Sequence, residues 1–156
     1  MKNTLVHLAT LLASIQVIFM IALRNNTAAG ADANVEFRTV DVFIDSKGAP
    51  LAAFQLEWRV ASGQAKIVGI EGGEHPAFKE PPFYDPKAMQ HERAILAGFR
   101  VAESAKLPKG RVRIATIHLQ VTDGKPCQYS IQRAAAVDHN GEHILIEAST
   151  EERNTQ

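Results

Sequence analysis

The chain has 156 residues, enough for one domain of ordinary size plus an appendage. Its 17 basic residues balance 17 acidic ones, so no basic face for a polyanion is indicated and no nucleic-acid partner is expected. The single cysteine, Cys127, excludes an intrachain disulfide; its neighbours Lys125, Pro126 and Gln128 form no redox or metal motif, so a half-buried structural thiol is expected.

Leu5–Leu23 carries no charge and lies between Lys2 and Arg24. Small and polar residues follow, from Asn25 to Ala33. A basic start, an apolar stretch and a small-residue exit describe a hydrophobic export helix of the secretory type, with Ala31-Asp32-Ala33 as an Ala-x-Ala cleavage site and Asn34 as the first mature residue. The competing reading is an uncleaved membrane anchor formed by residues 5–23, although His7 and Gln16 weaken a spanning helix. Both readings export the rest of the chain to a periplasmic, cell-surface or secreted location. The expected organisation is residues 1–33 as export segment or anchor, 34–150 as one domain and 151–156 as a frayed polar tail.

After Asn34 the pattern is short β-type runs between turn residues. Val40, Val42 and Ile44 alternate with Asp41, Phe43 and Asp45, a strand with one apolar face. Ser46-Lys47-Gly48-Ala49-Pro50 is a turn signal. Ala52, Phe54, Leu56, Trp58 and Val60 then alternate with Ala53, Gln55, Glu57 and Arg59, the cleanest strand in the chain, and Trp58 is expected in the core. Lys66–Ile70 and Ile95–Phe99 are further runs. Val112 and Ile114 share a face that Ile117, Leu119 and Val121 regain after a phase slip at Ala115-Thr116, the mark of a β-bulge. Tyr129 and Ile131 mark another strand, Asp138-His139-Asn140-Gly141 a tight hairpin turn, and Ile144, Leu145 and Ile146 the start of the last strand. Seven or eight strands with turns between them argue for an all-β, two-sheet sandwich.

Residues 74–93 fit no strand. Pro76, Pro81, Pro82 and Pro86 sit here, with Phe78, Phe83 and Tyr84. Proline fixes φ and removes a donor, so the segment cannot pair inside a sheet, and its stiffness lowers the entropy cost of ordering it. Two readings are open: a lid whose aromatics pack over one end of the core, which is preferred, or a stiff surface that meets a partner or a sugar ring. Phe78, Phe83, Tyr84 and Asp85 are the candidate binding residues.

Three stretches in order resemble the cohesin family: Leu51-Ala52-Ala53-Phe54-Gln55-Leu56, then Gly110–Val121 with its Ile-Ala-Thr-Ile run, then Ala136-Val137-Asp138-His139-Asn140-Gly141. The resemblance implies a jelly-roll, immunoglobulin-like sandwich of nine strands, of the same superfamily as several carbohydrate-binding modules. It also implies a non-catalytic module that docks a protein partner, dockerin-like or other, through one sheet face. Where cohesins commonly carry Tyr-Asp-Pro this chain has Ala61-Ser62-Gly63-Gln64, so no contact residue is carried over.

No nucleophile elbow, phosphate loop or dinucleotide fingerprint appears, so no cofactor and no catalytic residue are expected. Glu74, His75, Asp85 and His91 have no spacing that demands a metal, and none is expected. Asp41, Asp45, Glu57 and Glu71 read as outward, solvated carboxylates rather than tuned acids. A protein-docking module predicts an exposed apolar patch around Phe43, Phe83 and Tyr84. The alternative, a carbohydrate-binding module for extracellular polysaccharide, predicts a planar row of exposed aromatics.

Overall fold

A computed structural model describes residues 34–122 and 124–153, and the export segment or anchor expected at 1–33 lies outside the described residues. Among the described residues there are eight strands: β1 (Val35–Pro50), β2 (Ala53–Ser62), β3 (Ala65–Gly72), β4 (Phe83–Tyr84), β5 (Arg93–Phe99), β6 (Lys109–Thr122), β7 (Gln128–Val137) and β8 (Glu147–Arg153). They form two antiparallel four-stranded sheets, ordered β3-β6-β1-β8 and β4-β5-β2-β7. The all-β, two-sheet expectation holds, with eight strands where the family resemblance implied nine.

The core lies between the sheets and is built by alternation along the strands. On β2, Phe54, Leu56 and Trp58 are buried; on β5, Ala94 and Leu96; on β1, Val40, Val42 and Ile44; on β6, Ile117, Leu119 and Val121. Trp58 is wholly buried and stacks on Tyr129 with ring centroids 5.2 Å apart. The phase slip in β6 is real: Val42 faces Ala115 and Phe43 faces Arg113, which leaves Ile114 as the extra residue. Ile114 and Ala115 are therefore both buried.

Three local expectations change. The turn at Ser46–Pro50 does not end its strand. Lys47 (φ 52°) and Gly48 (φ 91°) take left-handed backbone, the Ser46 hydroxyl donates to Ala49 O at 2.6 Å, and β1 re-pairs with β6 at Pro50. Ile144–Ile146 precedes the last strand instead of forming it. β7 and β8 lie at the edges of different sheets, so the segment between them has to cross, and β-branched residues there mark partial burial instead of pairing. The hairpin turn before it is present, with Gly141 at φ 83° and Gly141 N donating to Asp138 O at 3.1 Å. Finally, Glu151–Arg153 is paired strand and not tail: Asp41, Val40 and Thr39 face Glu151, Glu152 and Arg153.

The far end of β8 meets a buried carboxylate. Asp41 was expected to be solvated, yet it is buried on the outer face of its sheet. Arg153 donates to it at 2.7 and 2.8 Å, and buried Thr116 donates at 2.6 Å, while Arg113 stands 3.8 Å away. Burial pushes the Asp41 carboxyl up, but the hydrogen bonds from Arg153 and Thr116 and the adjacent positive charges outweigh it and hold its pKa below the ordinary aspartate value. Cys127 is half-buried.

Trp58→Ala is expected to lower unfolding free energy by about 3–5 kcal/mol, read from chemical denaturation, because a large buried ring leaves a cavity. Asp41→Asn tests the buried carboxylate. A depressed folded pKa gives stability that is present above the unfolded value of 3.8 and is lost as pH falls below it. The stability gap between wild type and Asp41→Asn should therefore be constant near neutral pH and close on acidification through that value.

Candidate functional site

Strand alternation also fixes what the β4-β5-β2-β7 sheet shows to solvent. Its outer face carries Phe83 from β4, Ile95, Ala97 and Phe99 from β5, Ala53, Gln55, Glu57 and Arg59 from β2, and Ser130, Gln132, Ala135 and Val137 from β7. One end of this face is apolar and the other is charged.

The apolar end is made by the proline-rich segment. His75 Nδ1 accepts from Ala77 N at 3.1 Å and starts a 3-10 turn, Pro76–Phe78, which drops Phe78 into the core edge-on against Phe54 with centroids 5.3 Å apart. Pro81-Pro82 then leads into β4, whose two residues pair with Leu96 and Ala97. Pairing at Ala97 places Phe83 beside Phe99, and their rings stack at 5.9 Å with planes 7° apart. Both are open to solvent, Phe83 by 68% and Phe99 by 64%. Under them a cleft of about 240 Å³ is lined by Phe54, Phe78, Pro81, Pro82, Phe83 and Phe99. Gly98 is part of its wall, and a Cβ there would meet the Phe54 ring at 2.6 Å.

The expected site residues thus divide. Phe83 and half-exposed Tyr84 are at the surface, as the docking reading requires, whereas Phe78 is core, as the lid reading requires. Asp85 caps the helical turn Pro86–Met89 by accepting from Lys87 N at 2.9 Å. Phe43 leaves the expected patch: it is on the other sheet, and the Arg111 guanidinium covers its ring at 3.6 Å. Glu74 accepts from Arg113 N, and no group of three or more His, Cys, Asp or Glu that could hold a metal gathers among the described residues.

The charged end was not foreseen. Glu57 points outward, as expected, but is only 3% exposed because three arginines cover it. Arg59 from the same strand donates to Oε1, Arg133 from β7 donates to Oε2 at 3.0 Å, and Arg93 from β5 stands 3.7 Å from Oε1. The Arg59 hydrogen bond, outweighing burial, and the charges of Arg59, Arg133 and Arg93 hold the Glu57 carboxyl below the usual glutamate range. Arg133 reaches in from a left-handed backbone position, φ 51°, at the β7 bulge. In the sequence, Glu57 and Arg59 share a face across Trp58, which is a readable signal; Arg93 and Arg133 join them only through strand pairing.

Elsewhere, a cleft of about 380 Å³ near the start of β1 is lined by Glu36, Arg38, Cys127 and Glu152 among others. Arg38 there is engaged by both Glu36 and Glu152, so its charges answer one another.

No protein-family model and no curated protein matches the chain. Solved structures do. A non-cellulosomal cohesin from the hyperthermophilic archaeon Archaeoglobus fulgidus superposes with a TM-score of 0.53 at 11% identity, over 70% of this chain and 73% of that one. The fold is cohesin-like. A chain of the CaDoc0917–CaCohA2 complex gives a TM-score of 0.57 at 8% identity, over 70% of this chain and 82% of that one. A chain of the Coh-OlpA–Doc918 complex, a type I cohesin–dockerin complex from Clostridium thermocellum, gives 0.53 at 12% identity, over 70% and 82%. At these identities the likeness concerns the cohesin-like fold and assigns no contact residue.

The division of the aromatics has a direct check. Phe78→Ala should cost about 3–5 kcal/mol in a denaturant melt, whereas Phe83→Ala and Phe99→Ala should each cost about 1 kcal/mol or less.

Proposed function

We propose that this domain is an exported, non-catalytic module that docks a protein partner on the outer face of its β4-β5-β2-β7 sheet. The observation that carries this reading is the stacked pair Phe83–Phe99, held open to solvent at the rim of an apolar cleft. Exposed aromatics over a preformed apolar pocket are the kind of surface on which protein-interface hot spots form. The cohesin-like fold supports the same reading, since two of the similar structures are cohesin–dockerin complexes. Export rests on the Lys2–Ala33 pattern.

A carbohydrate face is usually a row of rings side by side in one plane. Phe83 and Phe99 are two parallel, offset rings rather than such a row, and the cleft beneath them suits an inserted apolar side chain.

The test is a pull-down with the full chain and with the Phe83→Ala/Phe99→Ala double variant, run against secreted-fraction proteins and insoluble polysaccharide in parallel. Capture of one specific protein, lost in the double variant while its melt is kept, is expected. Retention on polysaccharide, or protein capture indifferent to both substitutions, would count against the proposal. Protein recovered from outside the cytoplasm should begin at Asn34 by N-terminal sequencing; recovery only inside would remove export.

A further inference from the structure

Resting on the docking face just described, we propose that the partner segment it receives is acidic at one end, setting a carboxylate on Arg59, Arg93 and Arg133 while an apolar side chain sits at Phe83 and Phe99. One carboxylate, Glu57, stands against three guanidinium groups. Each guanidinium has five N–H donors in a fixed fork, and Glu57 uses a minority of them. Among the described residues no second acidic side chain pairs with these arginines. Glu92, next in the chain to Arg93, contributes its backbone carbonyl to Val60 N and no ion pair.

The surplus is accessible. The Arg133 side chain is 77% exposed, and a cleft of about 310 Å³ lined by Arg59, Val60, His91 and Arg93 opens beside the cluster, with no acidic residue in its wall. The arginines are also preorganised. Glu57 holds their heads together, so the entropy of fixing long side chains is already spent before an incoming carboxylate arrives. Carboxylates match the guanidinium fork with two parallel hydrogen bonds, and a lysine or arginine arriving at the same place would meet uncompensated positive charge. Glu57 is thus a positioning residue for the cluster.

Geometry ties the two ends into one site. Arg93 faces Arg59 and Phe99 faces Ala53 along β5, a run of about 20 Å at about 3.4 Å per residue. A helix of roughly 13 residues covers that distance. The inferred occupant is therefore a protein segment with an apolar anchor and a carboxylate about 20 Å apart.

The probes are two labelled helical peptides of roughly this length, both with phenylalanine near one end, one with a glutamate pair at the other end and one with a lysine pair. Fluorescence anisotropy with the full chain should give the glutamate peptide about tenfold tighter binding, weakening with salt. The preference should vanish in Arg93→Gln/Arg133→Gln; Arg133→Gln alone, at an exposed position, should reduce it if the double variant does not fold. Equal binding of the two peptides, binding of neither, or a preference untouched by Arg133→Gln would overturn the proposal. Displacement of the glutamate peptide by sulfate at matched ionic strength would overturn it too, leaving a simple anion site. If the protein capture described above depends on Phe83 and Phe99 while the peptides are not discriminated, the docking face stands and its acidic partner falls. If capture is indifferent as well, both fall.

Discussion

The period-two alternation of β2 is the constraint on which the rest depends. The step that sends Phe54, Leu56 and Trp58 into the core sends Gln55, Glu57 and Arg59 to the opposite face. A one-residue slip would expose the tryptophan and bury the carboxylate without its arginines. Core and candidate docking face are therefore fixed by the same register, and neither can drift without the other. β5 is locked to β2 residue for residue from Ala53–Phe99 to Arg59–Arg93, so the aromatic end and the arginine end keep a set separation.

Much of the sandwich was readable before pairing was known. β2 and its buried tryptophan, the bulge in β6 and the Asn-Gly turn follow from alternation and from backbone demands that are local. The candidate face was legible in part. Phe83 and Tyr84 stood out because prolines isolate them, and Phe78 stood out for the same reason although it belongs to the core. Exposure of one aromatic and burial of the next, a few residues apart, depends on what lies opposite: Phe54 for Phe78 and Phe99 for Phe83. That information is long-range. Phe43 shows the same limit, since its cover, Arg111, sits far along the chain.

The buried carboxylates Asp41 and Glu57 escaped a local reading for a related reason. Each lies on the outer face of its own sheet, where alternation predicts solvent, and each is closed over by arginines from other strands. Partnered in this way, a carboxylate makes mispairing costly, because a slip leaves a charge half-buried and alone. Asp41 does this for β8 through Arg153, and Glu57 for β5 and β7 through Arg93 and Arg133. The two sites differ in balance. Asp41 is met by two arginines and a threonine, whereas Glu57 is met by three arginines.

The two outermost strands of the β4-β5-β2-β7 sheet bear on how anything could approach it. β4 is two residues long and follows Pro81-Pro82, which supply no backbone N–H for another strand to read. β7, on the far side, is broken by the Arg133 bulge, which interrupts its ladder with β2. Both margins are thus poor templates for strand addition, the route by which sheets recruit extended peptides and by which they aggregate. A protein exposing aromatic rings at high local concentration would otherwise run that risk. With the margins closed, the broad surface is what remains for recognition, and the visitor has to bring its own secondary structure.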